Sequence, residues 1–268
     1  MQIRNRKFNT EKHTYICAIL NVTPDSFSDG GEAFEITDAI DKAKKLIENG
    51  ADLIDVGGES TRPGFTQISS SEEMARVVPV IKKIRSFSDI PISVDTRKAV
   101  VADAAIKAGA DIVNDVSGLR FDCDMAAVIA ESGAFCCLMH DGQYFDKKKN
   151  YIDGICEDLR IIAEGAVGAG IEKNKIILDP GVGFGKDASE NLSVIRELGR
   201  FSELGYPILL GCSRKSVIGA VTGLGVNERL EGTLATTAMA VMSGTAFVRV
   251  HDVKENVRFV SMMEALCR

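Results

Sequence analysis

The sequence predicts a (β/α)8 barrel, also called a TIM barrel: a closed ring of eight parallel strands surrounded by helices. First, a short apolar run of strand length recurs eight times along the 268 residues. Second, most runs are followed by a polar, often glycine-containing loop and then by a stretch in which apolar residues have helical spacing. Third, eight such units in a chain of this length favour the closed barrel over an open doubly wound sheet.

The eight apolar runs are the predicted barrel strands. They cover residues 15–20, 53–56, 90–94, 111–113, 134–139, 176–178, 207–210 and 245–248. The predicted helices cover residues 36–49, 71–87, 97–108, 125–132, 151–169, 188–198, 229–243 and 253–266. Gly50, Gly109 and Gly133 stand where three of the helices should end. Because helices join consecutive strands, we expect parallel pairing and a single domain over residues 1–268.

Charge and composition exclude several functional classes. The formal net charge is −6 and the basic residues are scattered, so we expect no nucleic-acid partner. No apolar run reaches the roughly 18 residues of a membrane span, and the polar amino terminus lacks the apolar core of a signal peptide. The seven cysteines form no CxxC pair, which is typical of free thiols in a reducing compartment. We therefore expect a cytoplasmic protein.

Polar residues follow all eight predicted strands, at the end where (β/α)8 barrels carry their chemistry. Asp95, Asn114 and Asp179 come directly after apolar runs. A carboxylate placed there costs several kcal/mol unless it is paired or hydrogen-bonded. For any one of these residues the alternative is a buried structural polar group. Together with Lys215 and Arg249, the three residues predict a binding site.

This set of side chains suits a ligand with two parts. Asp and Asn side chains match the donor and acceptor edge of a planar heterocycle. The basic group of Arg62, Lys215, Arg249 and His251 suits an anion, to which Mg2+ would add further positive charge. No nucleophile elbow and no dense cluster of metal ligands appears in the sequence. A Mg2+ held by one or two oxygens and substrate phosphates is still compatible with it.

Two long loops and several shorter segments carry a family resemblance. The loop over residues 21–31 reads Asn-Val-Thr-Pro-Asp-Ser-Phe-Ser-Asp-Gly-Gly, and residues 55–64 read Asp-Val-Gly-Gly-Glu-Ser-Thr-Arg-Pro-Gly. The shorter segments cover residues 93–97, 114–118, 178–186, 213–216 and 249–253. Together they resemble the signature segments of dihydropteroate synthases, the pterin-binding transferases of folate biosynthesis. The resemblance extends from residue 15 to residue 253.

The resemblance implies a reaction. Such enzymes join 6-hydroxymethyl-7,8-dihydropterin pyrophosphate to p-aminobenzoate and release pyrophosphate and 7,8-dihydropteroate. Pyrophosphate would leave first, and the amine would attack the resulting cation. The resemblance also implies a Mg2+ cofactor contacted by Asn21, a homodimer, and inhibition by sulfonamides.

The resemblance assigns roles to individual residues. The pterin would be held by Asp95, Asn114, Met139, Asp179 and Lys215. The pyrophosphate would be bound by Arg62, Arg249 and His251, and p-aminobenzoate by Thr61, Arg62, Phe184 and Ser216. Asp25 and the two long loops would close over the reacting centre, so the expected catalytic residues are Asp25, Arg62, Lys215, Arg249 and His251.

One segment departs from the family pattern, and two other functions are compatible with parts of the sequence. After His140 the chain reads Asp-Gly-Gln-Tyr-Phe-Asp-Lys-Lys-Lys, which leaves the conformation of this loop open. A pterin-binding methyltransferase shares the Asp and Asn residues but has no need for the pyrophosphate-binding residues Arg62, Lys215 and Arg249. A non-catalytic homologue should have lost polar residues at the strand ends, and no such loss is visible.

Overall fold

The computed structural model describes residues 1–23, 32–60, 66–142 and 151–267, with only the backbone of residues 32–35. An antiparallel hairpin of β1 (Gln2–Ile3) and β2 (Arg6–Lys7) precedes the barrel. The barrel strands are β3 (Tyr15–Asn21), β4 (Leu53–Gly57), β5 (Ile92–Asp95), β6 (Ile112–Asp115), β7 (Phe135–Met139), β8 (Ile176–Asp179), β9 (Leu209–Leu210) and β10 (Phe247–Val250).

The eight strands form one parallel sheet that closes on itself. Each strand from β3 to β8 pairs with the next, and β10 pairs with both β9 and β3. A parallel bridge between Leu178 and Ile208 joins β8 to the segment that leads into β9. The Leu178 N–H donates to the Pro207 carbonyl at 3.0 Å in the same place. The predicted barrel is therefore confirmed.

Helices surround the sheet in the predicted alternation. They are α1 (Glu32–Glu48), α2 (Ser70–Arg85), α3 (Ala99–Ala108), α4 (Met125–Ser132), α5 (Tyr151–Gly168), α6 (Ala188–Arg196), α7 (Leu198–Ser202), α8 (Ser216–Thr222), α9 (Leu230–Met242) and α10 (Val253–Cys267). Gly109 ends α3 with φ of 116°, a left-handed conformation that glycine adopts without a steric cost. Within the described ranges, no helix has both the length and the apolar composition to cross a membrane.

The amino-terminal half of the barrel interior is a packed apolar layer. Its inward side chains include Cys17, Leu53, Ile112, Cys137, Ile177, Leu209 and Phe247. The hairpin closes this end, because Ile3 and Phe8 are buried against the same cluster and the Phe8 ring lies 5.8 Å from the Phe247 ring. Among the residues that the structure describes, a cavity of about 10 Å³ lies in this layer, too small for an organic ligand. A ligand of pterin size is therefore confined to the opposite, carboxyl-terminal mouth.

On four strands, β4, β6, β8 and β10, the inward side chain changes from apolar to polar within two residues. Successive side chains of a strand point to opposite faces, so residues two apart share the barrel interior. The inward positions step from Leu53 to Asp55, Ser93 to Asp95, Ile112 to Asn114, Cys137 to Met139, Ile177 to Asp179 and Phe247 to Arg249. This step creates a polar layer directly above the apolar one.

Three of the predicted site residues belong to the strands themselves. Asp95 ends β5, Asn114 is the penultimate residue of β6, and Asp179 ends β8. The sequence analysis placed each of them just after its strand. The difference arises because the parallel ladder continues one or two residues further, pairing Gly57 with Asp95 and Met139 with Asp179.

Candidate active site

Arg249 lies at the centre of the polar layer and bridges two strands on the facing side of the barrel. Its Nε donates to Asp55 Oδ2 at 2.6 Å, and its Nη2 donates to Asp95 Oδ2 at 2.7 Å. Asn114 Nδ2 donates to the same Asp55 oxygen at 3.3 Å. Burial lowers the pKa of Arg249, but the two carboxylates more than offset this, so the net shift is upward. The guanidinium is therefore a fixed cation.

Each of the two carboxylates that bind Arg249, those of Asp55 and Asp95, has a second oxygen that is available to a ligand. Asp55 Oδ1 and Asp95 Oδ1 are buried, and neither accepts a hydrogen bond from the residues that the structure describes. Leaving a buried acceptor unsatisfied costs about 1–3 kcal/mol, so such atoms are uncommon without a ligand to meet them. Burial raises the pKa of Asp95, Arg249 opposes the rise and Asp55 adds to it. The two oxygens are suited to N–H donors of a bound heterocycle.

Asp179 and Lys215 lie near each other on the other side of the mouth and interact electrostatically. A Cβ at Gly211 would lie 3.7 Å from both Asp179 Oδ2 and Lys215 Nζ, so the absence of a side chain there leaves both atoms accessible. The other oxygen, Asp179 Oδ1, accepts the Gly181 N–H at 2.7 Å. Burial raises the pKa of Asp179, and Lys215 lowers it. Conversely, burial lowers the pKa of Lys215, and Asp179 raises it.

Lys215 also connects this pair to the glycine-rich loop, residues 181–185. Its Nζ donates to the Val182 carbonyl and lies 4.6 Å from the centre of the Phe184 ring. The stacking of an ammonium on an aromatic face contributes about 0.5–2 kcal/mol. Lys215 therefore holds Phe184 beside the mouth while its charge faces Asp179.

His251 follows β10 and lies next to Ser213. Its Nδ1 is 3.0 Å from Ser213 Oγ, which also accepts the His251 N–H at 3.2 Å. Burial, with Arg249 and then Arg214 adding to it, lowers the pKa of His251 to about 3. The sequence analysis counted His251 among the cations, but these causes make it neutral at physiological pH. It therefore offers a hydrogen bond rather than a full charge.

The end of β3 provides an uncharged oxygen close to Asp95. Asn21 and Asp95 both lie beside Gly57, because a Cβ at Gly57 would be 3.6 Å from Asn21 Oδ1 and 3.6 Å from the Asp95 Cβ. The register that pairs Asn21 with Gly57 and Gly57 with Asp95 fixes this arrangement. An amide oxygen at the rim of the mouth is a ligand type that Mg2+ accepts.

A buried lysine shapes the glycine-rich loop from below. Lys186 Nζ donates to the Gly181 carbonyl at 2.8 Å and the Phe184 carbonyl at 3.2 Å, and it contacts His140 Nδ1 at 2.9 Å. Burial lowers the pKa of Lys186 to about 8 and that of His140 to about 3. His140 is fully buried and lies under this loop, not in the mouth.

Comparison with known proteins identifies the family. The pterin binding enzyme family matches residues 17–251. A dihydropteroate synthase of Clostridium beijerinckii is 51% identical over 269 residues, which cover 100% of both chains. This chain belongs to the dihydropteroate synthase family. Members of this family are transferases, and so is this chain.

Two solved dihydropteroate synthases share this fold closely. The structure of FolP from Clostridium difficile, in the presence of pteroic acid, has a TM-score of 0.95 and 51% identity, covering 98% of this chain and 100% of that one. The Xanthomonas albilineans dihydropteroate synthase with 4-aminobenzoic acid has a TM-score of 0.91 and 38% identity, covering 95% and 93%.

The structure brings most of the predicted dihydropteroate synthase residues to one mouth. Asp95, Asn114, Met139, Asp179 and Arg249 occupy inward positions at the strand ends, as described above. The loops add Asn21 at the end of β3, Phe184, Lys215, Ser216 as the first residue of α8, and His251. Asp25, Thr61 and Arg62 lie outside the described residues, as does the segment 143–150 after His140.

Sequence reasoning underestimated two residues of this synthase site. Asp55 appeared only as the first residue of the second signature segment, although it accepts a hydrogen bond from Arg249 and its Oδ1 accepts none from the described residues. A signal was available: Asp55 lies two residues beyond Leu53 and so faces the interior. Lys186 appeared only within a motif, and no local pattern shows that its side chain turns back under the loop.

Proposed function

We propose that this mouth joins 6-hydroxymethyl-7,8-dihydropterin pyrophosphate to p-aminobenzoate, forming 7,8-dihydropteroate and pyrophosphate. The observation that carries the proposal is the polar layer itself. Asp55, Asp95 and Asp179 meet Arg249 and Lys215 there, and two of the buried carboxylate oxygens accept nothing from the described residues. The relatives solved with pteroic acid and with 4-aminobenzoic acid support the same pair of ligands.

The pterin occupies the polar layer in this proposal. Its ring N–H and amino donors meet the carboxylates of Asp95 and Asp179, and Asn114 supplies an amide that both donates and accepts. Met139 forms an apolar wall for the ring, since it is buried beside Asp179 in the register of β7 and β8. The Lys215 ammonium lies near the Asp179 carboxylate and would contact an acceptor atom of the pterin ring.

The pyrophosphate leaves toward the basic rim. Arg249 and His251, together with Arg62 of the second loop, would bind it and stabilise the charge that develops as its bond to the pterin methylene breaks. His251 contributes through hydrogen bonding. In this proposal Ser213 Oγ, 3.0 Å from His251 Nδ1, is the donor, which places the imidazole proton on Nε2. The amine of p-aminobenzoate then attacks the methylene carbon. No covalent intermediate with the protein is needed.

The p-aminobenzoate subsite lies beside the glycine-rich loop in this proposal. Phe184 and Ser216 would form one wall of this subsite, and Thr61 and Arg62 of the second loop would complete it. The ammonium of Lys215 stacks on the Phe184 ring and so places an aromatic wall next to the reacting carbon. Asp25 and the first two loops would exclude water from the cation.

The residues present fit a Mg2+ ion that has few protein ligands. Asn21 offers one amide oxygen at the rim, and Mg2+ commonly takes one or two protein oxygens together with waters and substrate phosphates. When bound, it would neutralise charge on the departing pyrophosphate.

A homodimer in the cytoplasm is the proposed setting. The late helices expose Met242, Met262 and Leu266, whose side chains would be covered in a dimer. The seven cysteines are free thiols, as expected in a reducing compartment. Light scattering on the purified protein tests the dimer, since a mass near 28.8 kDa would contradict it.

The activity is tested by following pyrophosphate release. Purified protein is incubated with the dihydropterin pyrophosphate, p-aminobenzoate and Mg2+, and a parallel sample lacks the amine. We expect release that depends on the amine and formation of 7,8-dihydropteroate in equal amount. Folded protein without amine-dependent release would overturn the proposal. A methyltransferase would instead move a methyl group from a methylated folate to a corrinoid, which a second incubation measures.

A further inference from the structure

A buried cluster of charged side chains lies between the two stems of the second loop, which are residues 58–60 and 66–69. We call it the Lys98 network; it consists of Lys98, Glu59, Glu73 and Arg97. Lys98 Nζ donates to Glu59 Oε1 at 2.8 Å, to Glu73 Oε2 at 2.7 Å and to the Ile68 carbonyl at 2.7 Å. An ammonium has three donors, and all three are used. Arg97 adds a bond to Glu59 Oε2 at 3.1 Å.

This network ties the two stems of the second loop together. Glu59 is on the stem that leaves β4, and Ile68 is on the stem that leads to α2. The Ile68 N–H donates to Glu59 Oε1 at 2.9 Å, while the Ile68 carbonyl accepts from Lys98. Both backbone groups of Ile68 are therefore bound by one ion pair. Arg76 holds the first stem again through the Gly58 carbonyl at 2.8 Å.

Burying these charges is a costly way to stabilise a fold. The side chain of Lys98 is 6% exposed and that of Glu73 is 1% exposed. Buried ion pairs are often neutral or worse for stability compared with apolar residues of similar volume. In addition, Glu73 Oε1 is buried and accepts nothing from the residues that the structure describes. What the network provides is a fixed separation between two backbone segments.

We propose that Lys98 is a positioning residue for p-aminobenzoate, because it fixes the separation of Glu59 and Ile68, the two stem residues between which Thr61 and Arg62 lie in the sequence. This inference rests on the proposed function, in which Thr61 and Arg62 of that loop bind the amine substrate. Lys98 itself is buried under the stems and does not reach the mouth. Its loss should therefore affect the aminobenzoate and leave the pterin, which binds to strand-end residues, unaffected.

Lys98→Met tests the proposal, because methionine keeps the length and removes the charge. We expect KM for p-aminobenzoate to rise on the order of tenfold or more, since small misplacements of substrate-binding groups cost rate steeply. The dissociation constant for 6-hydroxymethyl-7,8-dihydropterin, which has no pyrophosphate for Arg62 to bind, should stay within about twofold. Lys107→Met is the matched control: Lys107 is at the other end of α3 and pairs with Asp103 on the surface. Lys98→Arg should recover part of the loss.

Two further variants separate positioning from stability. Glu73→Gln removes a charged partner of Lys98 but leaves the bonds among Lys98, Glu59 and Ile68, so it should lower the melting temperature without changing KM. Glu59→Ala breaks the link between the stems and should raise KM as Lys98→Met does. If Lys98→Met does not fold, the double variant Lys98→Met/Glu73→Met is used, because it also removes the buried Glu73 carboxylate that has lost its partner. We expect this variant to fold and its KM for p-aminobenzoate to stay high.

The outcomes distinguish this inference from the function on which it rests. Wild-type protein without amine-dependent pyrophosphate release overturns both. An active wild type whose folded Lys98 variants keep the wild-type KM for p-aminobenzoate overturns the positioning role alone. Equal losses of affinity for p-aminobenzoate and for 6-hydroxymethyl-7,8-dihydropterin, or a KM for Glu73→Gln as high as that of Lys98→Met, would show that the network acts only through stability.

Discussion

His140 provides a quantitative test of the buried cluster below the glycine-rich loop. Its imidazole is fully buried, and burial, with smaller contributions from Lys186 and Arg120, lowers its pKa to about 3. A histidine in an unfolded chain has a pKa of about 6.5. The folded state therefore favours the neutral imidazole. The stability that this provides is complete above pH 6.5 and is lost as the pH falls from 6.5 toward 3.

The size of the effect follows from these two pKa values. At pH 5 the unfolded chain gains about 2 kcal/mol by protonating this one imidazole, while the folded chain gains almost nothing. The free energy of unfolding should therefore fall by about 2 kcal/mol between pH 8 and pH 5 because of His140 alone. For a single domain this is a large part of the total stability.

Urea unfolding of the wild type and of His140→Asn at pH 8 and pH 5 measures this contribution. The asparagine amide oxygen replaces Nδ1 as acceptor for Lys186 Nζ, which contacts it at 2.9 Å. His251 and all carboxylates titrate in both proteins, so their contributions cancel in the comparison. We expect the wild type to lose about 2 kcal/mol more than the variant over this pH range. Equal losses would refute the depressed pKa of His140.

Three other perturbations address the mouth. Lys215→Ala should weaken binding of the dihydropterin pyrophosphate by roughly 30-fold, the equivalent of one charge-assisted contact; calorimetry that gives an unchanged affinity would contradict the role of Lys215. Arg249→Met leaves Asp55 and Asp95 buried without their cation and should lower the free energy of unfolding by about 3–5 kcal/mol. The double variant Arg249→Met/Asp95→Asn should recover part of that loss, as measured by urea unfolding. Chelation of Mg2+ should abolish pyrophosphate release, and excess Mg2+ should restore it; full activity in the chelator would exclude a metal requirement.

The barrel and most of its mouth could be predicted because the sequence shows two periodic patterns, one typical of helices and one typical of strands. An apolar run followed by helical spacing marks each unit, and the alternation within a strand places Asp95, Asn114 and Asp179 in the interior. Short elements escape this reasoning. The two-residue strands of the hairpin and the seven-residue helix α8 are too short to show a period. The closure of the lower barrel by Phe8 was therefore not anticipated.

Long-range pairing and charge state are the other features that sequence patterns do not contain. Arg249 and Asp55 are 194 residues apart, and Lys98 and Glu59 are 39 apart, so neither pair forms a local motif. The neutrality of His251 is also a tertiary property, because it results from burial and from two guanidinium groups brought close by folding. Residue type alone suggested a cation.

The charges of the polar layer indicate how an anionic leaving group is accommodated. Three carboxylates, of Asp55, Asp95 and Asp179, face two cations, Arg249 and Lys215. Burial raises the pKa of Asp95 to about 7, so the layer has no excess of positive charge at physiological pH. Such a layer does not by itself neutralise pyrophosphate, so further positive charge must accompany the leaving group. Arg62 and a Mg2+ carried by the substrate are the two sources that we expect. In the proposed reaction, the ionised carboxylates of this layer would then stabilise the carbocation that the amine attacks.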